Sequence, residues 1–236
     1  MRMDYKNGCL LCGAELVYLD APQEMECALC HRTFMADAQC ENGHFVCNEC
    51  HAGGAIAVIT EICRQTDNRD PLELAVEIMR QPSIHMHGPE HHVLVGSVLV
   101  AAYRNCGGEV DLDRALAEVA RRGQQVPGGV CGFWGCCGAA VSAGMFVSVV
   151  SGSTPMKEDE WGLSNLMTSA ALRKIGEIGG PRCCKRDSFI AIQEAVAFSA
   201  EHFGVQMELP AHVSCEFIPL NAQCIGRRCP FHPAKG

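Results

Sequence analysis

Residues 127–144 read PGGVCGFWGCCGAAVSAG. Gly128, Gly129, Gly132, Gly135 and Gly138 surround Cys131, Cys136 and Cys137. Glycine at this density lets a backbone turn tightly or approach a ligand closely. Cysteine at this density points to a metal, a cluster or a disulfide. The stretch 136–150 that follows is apolar almost all round, with Ala139, Val141, Met145, Phe146 and Val149 among its residues. A helix without a polar face is buried. The loop is therefore expected at the N-terminus of a buried central helix, with Cys136 and Cys137 in its first turn. There the helix dipole favours the thiolate.

The same grammar recurs downstream. Gly179-Gly180-Pro181 ends a predicted helix over 158–178, and Arg182-Cys183-Cys184-Lys185-Arg186 opens another that runs to about Phe203. Cations beside this second cysteine pair also favour thiolate. Upstream, Asp70-Pro71 reads as a helix cap with proline at the first position, giving a helix over 71–80. Residues 111–122 form an amphipathic helix through Leu112, Ala115, Leu116 and Val119.

Between these lies Ser83-Ile-His85-Met-His87-Gly-Pro-Glu90-His91-His92, ahead of a helix predicted over 89–103. His85 and His87 fall in an extended loop; Glu90, His91 and His92 fall at the helix start. Imidazoles at a helix N-terminus tend to stay neutral, the form that binds a metal or accepts a proton.

Residues 1–52 read as a separate metal module. Cys9-x2-Cys12 and Cys27-x2-Cys30 are zinc-ribbon knuckles, and Cys40-x3-His44-x2-Cys47-x2-Cys50 follows at once. The array resembles treble-clef and RING-like modules holding two zinc ions. A cross-braced pairing joins Cys9 and Cys12 to Cys40 and His44; a sequential pairing gives the first four cysteines one ion. Both are open. A short strand is expected at Leu16-Val17-Tyr18. Cys47-Asn-Glu-Cys50-His51 also fits the spacing of covalent haem attachment, a weaker reading because zinc uses both cysteines.

Gly53-Gly54 is read as a hinge to a helical body over 53–212, within which a helix begins at Ala55 and a strand is expected over 205–209. A tail over 213–236 follows, with Cys215, Cys224, Cys229 and His232 as candidate ligands of a further metal site or as donors to the Cys131–Cys137 loop. The fold class is thus mainly α: a zinc-ribbon or treble-clef-like module in front of a helical bundle.

Seventeen cysteines in 236 residues stand out against a formal net charge of −8 and an apolar fraction of 48%. The acidic balance speaks against nucleic acid as a partner. The start, MRMDYKNGC, has no apolar signal segment, and no apolar run is long enough to span a bilayer. A cytoplasmic protein with reduced cysteines in metal or redox work is expected.

The order of glycine loop, Cys137-Gly138-Ala139-Ala140 with Gly144, and Cys183 or Cys184 resembles the redox-active family named for its Cys…Gly-Cys-Ala-x-x-Gly…Cys…Cys pattern. HGPEHH stands where that family has a cysteine. HGPEHH, PGGVCGFWGCCGAA, GGPRCCKR and the C-x2-C start more closely resemble an uncharacterised Cys-rich domain family of anaerobic bacteria and methanogens, also found fused to radical-SAM proteins. That resemblance covers nearly the full chain and implies anaerobic cofactor or metal chemistry.

Three elements are expected to converge on one pocket: the His85–His92 loop, the Cys131–Cys137 loop with Gly128 and Gly129, and the Cys183–Cys184 turn. The pocket would hold an iron–sulfur cluster or a mononuclear metal in a redox-active protein. Alternatively, Cys183 or Cys184 would act as nucleophile in sulfur transfer, with Arg182, Lys185 or Arg186 lowering its pKa and His91 or Glu90 moving protons. A third reading is a non-catalytic accessory module delivering metal, sulfur or electrons to a radical-SAM or corrinoid-type partner. The expected partner is a small molecule or such a protein.

Overall fold

The computed structural model describes residues 8–235; residues 1–7, where the absence of a signal segment was read, lie outside the described residues. The fold is mainly α, with a cysteine-rich N-terminal segment. Strands β1 (Leu16–Glu26) and β2 (Thr33–Cys40) form an antiparallel hairpin that pairs Leu16 with Cys40 and Glu26 with Thr33, interrupted by a bulge between Tyr18 and Gln23. β1 is far longer than the expected three residues. Its side chains are mostly exposed on both faces. Between residues 8 and 47 the buried apolar residues are Cys9, Cys27, Ala36, Cys40 and Cys47. Four of these five are cysteines, so the hairpin has no hydrocarbon core of its own.

α1 (Asn48–Gln65) starts inside this segment, with Cys47 as its N-cap residue, and runs unbroken through Gly53 and Gly54. The expected hinge is therefore helix interior. Ala52, Ala55, Ile59 and Cys63 form a buried stripe that carries α1 onto the rest of the bundle. That packing offsets the two glycines, each of which costs a helix about 1 kcal/mol relative to alanine.

α2 (Pro71–Met79) begins as the sequence dictates. The Asp70 carboxylate accepts from the Leu72 and Glu73 amides at 2.8 and 3.0 Å, and Pro71 occupies the first turn. α3 (His91–Asn105) is buried at every position from His91 to Tyr103. It packs against α1, α2, α4 (Leu112–Gly123), α6 (Gly138–Ser151) and α8 (Cys184–Phe203). The central helix is thus α3. α6, the expected centre, leaves Val141, Met145, Val149 and Val150 only partly covered, because its neighbour α7 (Asp159–Ile178) is an outer helix that buries only Met167 and Ala171.

The glycine–cysteine loop contains the single-turn α5 (Val130–Phe133). α6 starts two residues later than expected, so Cys137 is its N-cap residue and Cys136 precedes it. Cys183 likewise caps α8. Residues 205–209 form no strand; having no strand to pair with in the body, they are tied through the Glu208 amide to the Arg69 carbonyl at 3.0 Å. The tail makes three short 3-10 turns, Ile218–Leu220, Gly226–Arg228 and Pro233–Lys235. Buried Phe217 and Phe231 pin it to the bundle. No helix among the described residues is long and apolar enough to cross a membrane.

Candidate metal centre

Among the described residues, three groups of ligand-type side chains are gathered tightly enough to hold an ion, each with all its ligand atoms within 4.8 Å of one another. The first is Cys9, Cys12, Cys40 and His44; the second is Cys27, Cys30, Cys47 and Cys50. This is the cross-braced pairing. The hairpin produces it: β1 and β2 bring the end of the first knuckle against Cys40, while the start of α1 carries Cys47 and Cys50 to the second knuckle. Cys12 and Cys40 sulfurs lie 3.9 Å apart, and Cys30 and Cys47 sulfurs 3.8 Å. Thiolates at about 2.3 Å from one tetrahedral ion stand about 3.8 Å apart. Within the quartets the thiols do not titrate alike. The Ala14 amide, then Asn42 and His44, draw the Cys12 thiol down to about 6, whereas the neighbouring Cys47 thiol pushes Cys50 up to about 12. A divalent cation is what lets all the thiolates of one quartet exist together.

The third group is His51, His85 and Glu90. His51 stands in the first turn of α1, His85 in the loop before α3, and Glu90 is the N-cap residue of α3. Glu90 is fully buried. Its Oε2 lies 3.5 Å from His51 Nδ1 and its Oε1 lies 3.4 Å from His85 Nδ1, and the two imidazole centres are 4.6 Å apart. His51 Nδ1, His85 Nδ1 and Glu90 Oε2 are all buried without a hydrogen-bond partner. Three orphaned polar atoms facing one another would be costly on their own. The spacing suits a shared cation, because ligands at about 2.1 Å from a tetrahedral ion stand about 3.4 Å apart. Burial would raise the Glu90 pKa, but the facing histidines hold it well below the usual carboxylate range.

The surroundings fix this group rigidly. Glu90 Oε1 accepts the His85 amide at 3.0 Å. Gly88 makes room for the carboxylate, which a Cβ at that position would overlap. Buried Lys185 donates from Nζ to the His85 carbonyl at 2.8 Å and to His91 Nε2 at 3.1 Å. Burial draws the Lys185 pKa down to about 8. His91 donates from Nδ1 to the Gly88 carbonyl at 3.0 Å, so both of its nitrogens are engaged. His91 supports the loop and has no nitrogen left for a ligand.

His51 and His85 line a cavity of about 410 Å³, with Glu90 buried behind them. That volume suits a small-molecule ligand. Its walls join the two halves of the chain: the hairpin and α1 on one side, His85, His87, His92, Gly128, Gly129, Cys131, Arg182 and Cys184 on the other. Of the three elements expected to converge, the cavity brings together the histidine loop, Cys131 with Gly128 and Gly129, and Cys184 alone of the second pair, and the N-terminal segment adds a wall. His87 donates from Nε2 to Asn221 Oδ1 at 3.3 Å, an oxygen that also accepts the Gln223 amide. That leaves the buried, unpartnered Nδ1 of His87 as an acceptor. Burial, then the charge of Arg182, hold the His87 pKa at about 4, so the ring is neutral at pH 7. His92 donates from Nδ1 to the Val126 carbonyl at 3.0 Å, and its ring lies across Gly138, where a Cβ would overlap it. The Arg182 guanidinium lies 5.7 Å from the centre of the Tyr18 ring, which itself packs edge-on to Phe133.

Several predicted site residues lie elsewhere. Cys136 and Cys137 are not among the cavity's walls, and Cys137 donates to Asp187 Oδ2 at 3.8 Å. Cys183 faces the tail together with Cys215, Cys224 and Cys229, not the glycine loop. The expected depressed thiol pKa values are corrected as well: burial raises those of Cys137 and Cys183 and pushes Cys184 up to about 12. A helix dipole is worth about 0.3–1 kcal/mol, whereas full burial moves a pKa by about 3–5 units, or roughly 4–7 kcal/mol. Desolvation wins. The sequence reading also passed over His51 as a ligand. Its one signal was the His after Cys47-x2-Cys50, at the start of what is one continuous helix.

Neither a curated protein nor a solved structure matches the chain. A family model does match, over residues 59–232, which takes in His85, Glu90 and the rest of the body but begins after His51 and both cysteine-rich quartets. On that match, the chain belongs to a family of unknown function, DUF5714.

Proposed function

We propose that the chain is a metal-dependent enzyme acting on an anionic small molecule in the cavity between hairpin and bundle. The observation that carries this reading is the three-ligand set in which His51 and His85 line that cavity and buried Glu90 stands directly behind them. Structural metal sites are closed by four protein ligands, whereas catalytic ones keep a position open. A divalent ion held there would supply Lewis-acid polarisation and a bound water acidic enough to react near neutral pH. The chain's own residues do the rest. Arg182, at the cavity wall, binds the substrate's anionic group. His87, neutral and oriented by Asn221, offers Nδ1 as a hydrogen-bond acceptor to the substrate. Lys185 fixes His85 through its carbonyl. The raised pKa of Cys184 keeps that thiol protonated, which favours this route over a sulfur-transfer nucleophile. The two quartets, on this reading, hold zinc and serve as scaffold.

Cobalt(II) titration of the full chain tests the proposal. Once two equivalents have filled the quartets, a further equivalent should add the weak d–d bands of a nitrogen–oxygen site, and His51→Ala and Glu90→Gln should each abolish that addition. The thiolate charge-transfer bands of the quartets should persist in both variants. Unchanged bands in both variants would refute the triad.

A further inference from the structure

A second, smaller cavity of about 20 Å³ lies beneath the tail, lined by Cys183, Cys215, Cys224 and Cys229. No residue of the His51–His85–Glu90 group lines it; Met86 is the wall common to both cavities. Cys183 comes from the cap of α8, and the other three come from the irregular tail. Phe217 and Phe231 close the sides, with Phe231 edge-on to Phe189 at 5.3 Å and the Cys215 amide bonded to the Phe231 carbonyl at 2.8 Å.

The sulfurs sit where acceptors of N–H bonds are wanted. Cys183 Sγ receives the Arg186 amide and Asn221 Nδ2, each at 3.5 Å, and Cys224 Sγ receives the Gly226 amide at 3.4 Å. The thiols are also within electrostatic reach of one another. Cys183, Cys229 and Cys224 all lie close enough to bear on Cys215. Four cysteine sulfurs lining one apolar pocket are the donor set of a soft metal centre.

The four sulfurs are more widely spread than the ligands of the quartets. In the two N-terminal quartets every ligand atom is within 4.8 Å of every other, but no three of these four sulfurs meet that limit. One tetrahedral ion draws its sulfurs to about 3.8 Å apart. A cubane iron–sulfur core holds its four cysteine sulfurs about 6 Å apart, because the iron atoms are themselves spread about the centre. The structure assigns Cys183, Cys215, Cys224 and Cys229 as the four ligands of a [4Fe–4S] cluster, seated between the start of α8 and the C-terminal tail. N–H donors to the sulfurs and a dry, apolar wall are the features by which a protein tunes such a cluster.

The test is reconstitution of the full chain with ferrous iron and sulfide under anaerobic conditions. The wild type should gain about four iron and four acid-labile sulfide per chain, with broad absorption near ~400 nm that dithionite bleaches. Cys215→Ser and Cys224→Ser should lose that absorption, whereas Cys131→Ser and His51→Ala should keep it. His51→Ala separates the outcomes, since it removes the triad and leaves the cluster. A wild type that takes up no acid-labile sulfide overturns the assignment without any variant. So does a chromophore that survives Cys215→Ser together with Cys224→Ser, or one that follows Cys131 instead.

Discussion

The cysteine-rich quartets and the His51–His85–Glu90 triad stand within one short stretch of chain, and they are built to opposite ends. Each quartet has four ligands, sulfurs 3.8–3.9 Å apart where measured, and almost no hydrocarbon around it. The triad has three ligands and a cavity of about 410 Å³ beside it. The quartets draw every ligand from residues 9–50; the triad takes one ligand from α1 and two from the loop at the head of α3. On the proposed reading, the contrast teaches that in this chain the sites that fold and the site that reacts are separable in position. The first stand in for a missing core. The second is placed where core and module meet.

Cys27→Ser should have the largest effect. Cys27 is fully buried and its sulfur accepts the Cys47 amide at 3.3 Å. Structural zinc in small domains contributes on the order of 10 kcal/mol of apparent folding energy, so losing one ligand should unfold the hairpin. Limited proteolysis should cut within residues 16–40, metal analysis should show at least one ion lost, and most helical circular dichroism should remain. A protected hairpin with full metal content would erase the distinction between scaffold and site.

Phe146→Ala attacks the other side of the comparison. Phe146 is fully buried on α6 and meets Tyr103 edge-on at 5.6 Å. Deleting such a ring from a packed core costs about 3–5 kcal/mol. The bundle should melt at lower temperature or denaturant concentration while the folded variant keeps its metal complement. Loss of the quartet metals from folded Phe146→Ala would show that the module leans on the core more than the geometry indicates.

His51→Ala is the sharper, smaller probe. Its side chain is one-fifth exposed and its Nδ1 has no hydrogen bond, so in metal-free protein the change should be within about 1 kcal/mol. An ion bound only by the folded state adds about 2.7 kcal/mol at a hundredfold excess over its dissociation constant. In protein whose quartets are already loaded, further divalent metal should therefore raise the wild-type melting temperature and leave that of His51→Ala unmoved. Equal rises in both would place the ion elsewhere.

What the sequence made legible follows from how local each signal is. The knuckles, the Asp70–Pro71 cap and the amphipathic run of α4 are set by residues a few positions apart, and each appears where it was read. The cross-brace was not decidable, because it depends on the register that puts Leu16 opposite Cys40. Cys183 and Cys184 looked like one pair. At a helix start, neighbouring residues project about 100° apart, so one faces the tail cavity and the other the main one. His51 was hidden by Gly53-Gly54, which reads as a break and is helix. The burial of Cys137 and Cys184, which reverses the expected thiol chemistry, arises only from long-range packing.

The smallest expected effect separates ordinary surface electrostatics from the buried triad. Glu118 on α4 bonds both Arg121 and Arg122 at 2.7–2.8 Å, which draws its pKa from 4.5 to about 2. A depressed carboxylate contributes stability above its unfolded value, and that contribution disappears as pH falls from 4.5 through about 2. The group is partly exposed and screened, so the contribution should be under about 1 kcal/mol. Metal ligands compete with protons at milder acidity, so the ions should leave before this carboxylate titrates. Wild type and Glu118→Gln should therefore lose metal at the same pH. Their stabilities should differ above about 4.5, where the wild type is the more stable at low salt, and should converge as pH falls towards about 2; about 1 M salt should close the gap. If Glu118→Gln moved the pH of metal release, the surface of α4 would be coupled to the metal sites, and module and body could no longer be treated as separate electrostatic systems.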